Sequence, residues 1–444
     1  MRWPEWRWLA AKEWRELGVS RAAALSAVVL GPLTGQAFIT AASAYAEASG
    51  AGGGPAALAQ GLSPLDGLVV PLFGAYALAA TLLLPFVAIR SLGADRDSGA
   101  WRLLLQSPVT PAGHLTVRWL VLLAAWLAAW VPALMALGWW KMLGGHLGSA
   151  ETAGVMLGHA LHGALVIALA FAAAAVTTNA ASAAVVTLAI TLGTWALDFV
   201  AQVHGGAWQT VAAFTPDAAL RVFEHGEVRV ALVLVPAVLV VAMLALASIA
   251  LDASRDARQR VVRAAAVVAG ALVLASLAAT RRASWDLSED RRNSFTPAVE
   301  RALRDVRAPL RITANLAPED PRLTDLQRGL FHKLERTMPD VRVTVVSTSA
   351  TGLFDAPVRG YGEVWYELGG ARMMSRSTTE PIVLEQLFQL AKLSPPAPDD
   401  GAAYSGYPLA RTPSGAAWVF YLCWPLAALA AFWTLRRRLG GAAN

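Results

Sequence analysis

The sequence predicts an α-helical polytopic membrane protein of about eight transmembrane helices with a small α/β extracytoplasmic domain. Composition leads there first: 56% of the 444 residues are hydrophobic and 15% charged, far more apolar surface than a single water-soluble core hides. Apolar runs near 22–46, 66–89, 118–140, 153–176, 180–200, 229–251, 262–280 and 415–435 each approach the roughly 20 residues that cross a bilayer. Between the last two lies a charged stretch, 281–412, whose apolar residues alternate or recur at helical spacing.

A net charge of +6 fits nucleic acid poorly, because the arginines stand in short clusters between apolar runs, where membrane topology accounts for them. A single cysteine, Cys423, excludes an internal disulfide or a thiolate metal cluster. Tryptophans and mixed charges occupy the first 20 residues, unlike the apolar core of a removed signal peptide, so the first span is expected to stay.

The first element is an amphipathic helix. Trp3, Trp6, Ala10, Trp14 and Leu17 share one face, with Arg7, Lys12, Arg15 and Glu16 elsewhere, which predicts a helix lying flat at the membrane interface. The fourth and fifth apolar runs are joined only by Thr177, Thr178 and Asn179. They form either an antiparallel hairpin or one bent unit.

Orientation follows from the short connections. With the N-terminus inside, the cytoplasmic side receives 16 cations, from the N-terminal segment, Arg90 to Arg118, Arg255 to Arg263 and Arg436 to Arg438. The opposite short loops hold Lys141, Arg221 and Arg229. An N-in, C-in topology results, and the same parity places 281–412, with 18 Lys/Arg and 17 Asp/Glu, outside.

Within that domain Thr296-Pro297 opens a helix. Leu310, Ile312, Ala314 and Leu316 alternate as a strand, Leu323, Leu326, Leu330 and Leu334 repeat as a helix, and Val341, Val343 and Val345 alternate again. Val364, Tyr366 and Leu368 then lead through Gly369-Gly370 into a hairpin, followed by a helix near 381–393 and a Pro-rich linker from Ser394.

The polar loop after the second span, Asp95-Arg96-Asp97-Ser98-Gly99-Ala-Trp101-Arg102-Leu-Leu104-Leu105-Gln-Ser107-Pro108-Val109, combines helix-start signals, an apolar patch and a proline stop. It resembles the coupling loop of ABC-2 type transporter membrane subunits, Glu-Arg-Glu-X-Gly-Thr-X-Glu-X-Leu-Leu-X-Ser-Pro-Val, with Asp95 and Asp97 for the two Glu and Arg102 for an acid. Phe214 to Val228, before the sixth span, is similar to that family's outer helical segment. Trp285-Asp286-Leu-Ser-Glu289-Asp290-Arg-Arg-Asn-Ser-Phe-Thr-Pro297-Ala resembles the opening of the extracytoplasmic part of GldG-like auxiliary proteins, named for a gliding-motility ABC complex.

These resemblances imply an ABC-2 type six-helix domain over 1–252 and a cytoplasmic linker with the seventh helix over 253–280. A shortened GldG-like domain with its linker occupies 281–412, and the eighth helix with a basic cytoplasmic tail occupies 413–444. They also imply a permease subunit of a bacterial inner (cytoplasmic) membrane, homodimeric or heterodimeric. Its Asp95, Arg96, Asp97, Ser98, Gly99, Trp101, Leu104, Leu105, Ser107 and Pro108 would dock on a separate nucleotide-binding ATPase subunit that holds ATP and Mg. The alternative is a non-transporting mechanotransmission or envelope-anchor complex whose outer domain engages a periplasmic or surface partner.

An enzyme is not expected. Lys12, Lys141, Lys333 and Lys392 are the only lysines and none follows glycine, so no P-loop exists in this chain. The histidines have no acidic partner at metal-ligand spacing. His159, His162 and Asp198, ionisable groups inside spans, either line a substrate path or find polar neighbours. For Asp286, Glu289 and Asp290, capping and surface pairing are expected.

Overall fold

The computed structural model describes residues 3–51, 61–104, 106–204, 207–252, 254–317, 320–346, 360–396, 404–409 and 411–440. The chain is a multi-pass helical membrane protein. Among the described residues, eight helices are long and apolar enough to span: Arg21–Gly50, Leu65–Asp97, Pro111–Met142, Ser149–Val176, Ala180–Leu197, Val230–Leu251, Ala257–Ala279 and Ala416–Arg438. Two compact units result: Met1–Gly193 with Val230–Arg281 and Tyr404–Asn444, and Thr194–Arg229 with Arg282–Ala403.

Caps start several of these helices. Ser20, Thr110 and Asp256 each accept a backbone N–H three residues on, at 3.5, 3.1 and 2.8 Å, which satisfies donors that the first turn leaves free. The third span breaks after Ala128 and resumes at Val131, with Pro132 in its first turn. A proline at that position clashes with the preceding turn and bends the helix. Tyr76 of the second span fills the opening. Its hydroxyl donates to the Ala129 carbonyl at 3.1 Å and accepts from the Ala133 N–H at 3.3 Å and from Thr34 at 3.3 Å. Phe73, Trp126 and Trp130 pack around it, their rings 5.8 to 6.5 Å from the tyrosine ring.

The eighth span docks on the first through two glycines one turn apart, Gly31 and Gly35. A Cβ at Gly31 would stand 2.0 Å from the Trp424 ring and one at Gly35 2.2 Å from Phe420. In lipid no hydrophobic effect drives helices together, and close backbone approach supplies the van der Waals contact instead. Polar ties complete the seam: the Trp424 indole donates to Ala27 O at 2.8 Å, and the Tyr421 hydroxyl to Gln36 at 2.5 Å.

The second unit holds a four-stranded sheet. With β1 at Glu227–Arg229 and β2 at Ser284–Asp286 forming a separate antiparallel ribbon, the sheet consists of β3 (Leu310–Ala314), β4 (Val341–Val345), β5 (Val364–Leu368) and β6 (Ala371–Ser375) in the order β4-β3-β5-β6. β3 and β4 run parallel, joined by helical residues 321–337, and the other pairs are antiparallel. Leu310, Ile312 and Ala314 of β3 and Val364, Tyr366 and Leu368 of β5 turn to one face, which Leu323, Leu326, Leu330, Leu334, Val383 and Leu387 cover. That alternation is why these segments pair as strands.

Two loops are built around carboxylates. Asp286 accepts from Ser288 and Asn293 backbone N–H at 3.1 Å and from the Ser294 hydroxyl at 2.6 Å, while Asp290 pairs with Arg292 at 2.8 Å. Glu227, 2% exposed, receives Arg229 at 2.9 Å and His332 at 3.2 Å. Burial by itself raises its pKa, but the bonds from His332 and Arg229 outweigh that and bring it down to about 2.

Replacing Gly31 or Gly35 by Leu is expected to lower thermal stability in detergent by about 1–3 kcal/mol through overpacking. The same change at Gly74, where a Cβ meets nothing, is the neutral control. Because the Glu227 pKa is depressed from 4.5 to about 2, its stabilisation is complete above pH ~4.5 and is lost as pH falls toward 2. Amide protection along Glu227–Arg229, after correction for the intrinsic pH dependence of exchange, is expected to fall across that window in the native chain and to stay level there in Glu227→Gln.

Candidate functional site

The charged residues of the first unit converge where the second span ends, the third begins and the N-terminal helix Trp3–Gly18 lies. The N-terminal helix packs against the third span: Leu9, 1% exposed, contacts Val109, Val117 and Val121, with Trp6, Ala10 and Leu17 at the margin. Trp14 points away, half exposed, as does Trp8. Trp6, Ala10 and Leu17 of the predicted apolar face thus border the packed stripe, which runs through Leu9, and Glu13 is carried inward beside it. The side chain of Trp3 lies outside the described residues.

Arg118, 3% exposed, is the centre. Its Nε and Nη2 donate to the two oxygens of Glu13 at 2.8 and 2.7 Å. Nη1 donates to the Ser91 carbonyl at 2.9 Å and Nη2 also to Asp95 at 2.5 Å. A planar guanidinium meeting a carboxylate at two points is the strongest geometry such a pair has. One arginine of the third span thus ties together the N-terminal helix and the end of the second span.

Lys12 completes the charge balance, at 3.2 Å from Glu13, 2.9 Å from Glu16 and 3.9 Å from Asp95. These three carboxylates converge within 4.8 Å, a spacing able to hold a metal ion, but the Lys12 ammonium already supplies the cation at their centre. Burial lowers its pKa, while Glu16, Glu13 and Asp95 raise it by more, so it stays above its usual value.

Beyond Asp95 the chain forms a clamped tip. Arg96 donates to the carbonyls of Ala174 and, at 2.9 Å, of Thr177, capping the C-terminal end of the fourth span with a cation. Ser98 bonds back to Ala94 O at 2.7 Å, and Gly99 turns the chain with φ +76°, a left-handed backbone that favours glycine. The short helix Ala100–Leu104 follows. Trp101 is buried with its ring 6.1 Å from that of His114, and Ser107 bonds the His114 ring at 3.0 Å. His114 lies within the third span and serves here as a packing and hydrogen-bond partner.

The predicted coupling residues therefore divide. Asp95, Arg96 and Trp101 face inward and hold the tip, and Leu104 is half-buried against the main core, whereas Asp97, Ser98, Arg102, Leu103 and Pro108 are exposed. Leu103, 68% exposed, is a large apolar side chain offered outward that the predicted set, with Leu104 and Leu105, leaves out. Leu105 lies outside the described residues.

Of the intramembrane candidates, two lie on the fourth span. His159 is 2% exposed with its ring 5.2 Å from that of Phe73, and His162 is half-buried on the same helix. Asp198 is on the helix Ala180–His204, its side chain outside the described residues. No family model, curated protein or solved structure matches the chain.

Glu13→Gln is expected to leave Arg118 under-compensated and to cost about 3–5 kcal/mol, as removal of one partner of a buried ion pair does. Thermal unfolding in detergent reads this, and Glu16→Gln, half exposed, should stay within about 1 kcal/mol.

Proposed function

We propose that this chain is the membrane-spanning permease subunit of an ABC-2 type transporter, in which ATP hydrolysis by a separate subunit drives translocation. The observation that carries this reading is the tip from Asp97 to Pro108. It is rooted by Arg96 on the fourth span and by Arg118 on the N-terminal helix and the second span, yet it presents Leu103 and Arg102 outward. A lever needs both properties: a root that transmits displacement to several helices, and a head that a partner can grip.

In this reading the chain is N-in and C-in in a bacterial cytoplasmic membrane, residues 281–412 are extracytoplasmic, and ATP and Mg belong to the partner. Two permease subunits associate through outer helices such as the fifth, where Val185, Ile190 and Trp195 are exposed. Burial of His159 against Phe73 favours the second reading, a complex that transmits force to an envelope partner without moving cargo.

The test uses the full chain with its co-purified ATPase. Leu103→Asp is expected to reduce complex-stimulated ATP hydrolysis at least ten-fold with the melting profile unchanged. In a Cys423→Ser background, a cysteine placed at Leu103 should react only from the cytoplasmic side and one at Thr378 only from outside. Labelling of position 103 from outside, or ATP hydrolysis by the chain alone, overturns the assignment.

A further inference from the structure

Two cavities in the first unit adjoin and differ in chemistry. The first, about 340 Å³, lies among the first, second, third and eighth spans beneath the N-terminal helix, and its lining is apolar apart from Ser26: Leu30, Leu83, Ala125, Trp126 and Trp424 are typical. Small residues open it, since Ala23, Ala27, Ala79 and Ala128 leave room that larger side chains would fill. The second, about 520 Å³, adds charged and polar groups to its apolar lining: Ser20, Arg21, Arg90, Ser91 and the carboxylates of the ion cluster. Leu17, Val87 and Leu122 line both, so the apolar slot opens into the polar cleft.

The charges of the cleft are not all matched internally. Glu13 and Asp95 are held by Arg118 and Glu16 by Lys12. Arg21 and Arg90, both exposed, have no acidic partner among the described residues. Two free guanidinium groups at the mouth of a membrane-embedded apolar slot match a ligand with an anionic phosphate head and a hydrocarbon tail. We propose that this is a binding site for one anionic phospholipid: its phosphate sits between Arg21 and Arg90, and an acyl chain enters the slot between Trp126 and Trp424.

The occupant is a lipid because the slot is bounded by helices that span the bilayer, where hydrocarbon is the abundant apolar ligand. The inference is independent of the transporter reading, for it requires no ATPase and no cargo.

The experiment is native mass spectrometry of the full-length protein in detergent after delipidation, titrated with phosphatidylglycerol or phosphatidylcholine of identical chains. One phosphatidylglycerol should be retained with a preference on the order of ten-fold over phosphatidylcholine, since juxtamembrane arginines select anionic heads. Arg21→Gln with Arg90→Gln should erase the preference, and Ala125→Phe or Ser26→Leu should weaken both lipids by filling the slot. Soluble glycerol 3-phosphate should not compete. Equal retention of the two lipids, an unchanged preference in the double arginine variant, or full competition by glycerol 3-phosphate overturns the proposal. Where a slot-filling variant fails to fold, the exposed arginine pair still decides it.

Discussion

A guanidinium buried among helices that lie in lipid imposes a requirement that the rest of the first unit meets. Arg118 cannot shed its charge and cannot reach water, so every donor it turns inward must find an oxygen. Glu13 of the N-terminal helix, and Asp95 and the Ser91 carbonyl of the second span, provide them from two distant stretches of chain. Once those bonds are made, the N-terminal helix cannot float freely on a membrane surface, and the end of the second span has one position. The tip beyond Asp95 inherits that position, and Arg96 repeats the device one residue later on the end of the fourth span.

The same logic, a charge satisfied by neighbours from distant sequence, organises the second unit with different partners. Glu227 stands at the start of the ribbon β1-β2 and receives His332, 105 residues away. Asp286, at the other strand's end, gathers the loop that precedes the first helix of the α/β fold. In both units the apolar contacts supply most of the burial, while a few ionised groups fix which segments meet.

How much of this was legible depended on whether the signal was local. Long apolar runs, the alternation of Leu310, Ile312 and Ala314, and the Gly369-Gly370 turn name their elements because periodicity alone decides the exposed face. The helix start at Thr296-Pro297 was equally readable, although Thr296 makes no side-chain cap bond, and the expected capping role of Asp286 is what its hydrogen bonds display. The ion cluster was not readable. Glu13 sits among charges that look solvated, and nothing in a 20-residue window tells it from Glu16. Arg118 counted among the topology-setting cations, yet its charge is spent internally. Leu103 and Leu104 are adjacent and identical, so only packing shows which one turns out. The ribbon β1-β2, three residues to a strand, was too short to register. One missed signal was available: Gly31-Pro-Leu-Thr-Gly35 is a small-xxx-small pattern in an apolar helix, and it marks where the eighth span docks.

Tyr76, the tyrosine of the second span lodged in the bend of the third, has a mechanical meaning. Its hydroxyl occupies the rung that the bend at Pro132 removes from the backbone ladder, so the carbonyl of Ala129 and the amide of Ala133 are satisfied by a neighbouring helix instead of by their own. Lipid offers no substitute partner. Sliding the second span along the third would strand both groups in hydrocarbon. The two helices are therefore pinned together at mid-height, and any rearrangement of this bundle must carry them as one rigid piece, leaving motion to the more thinly packed helices around them.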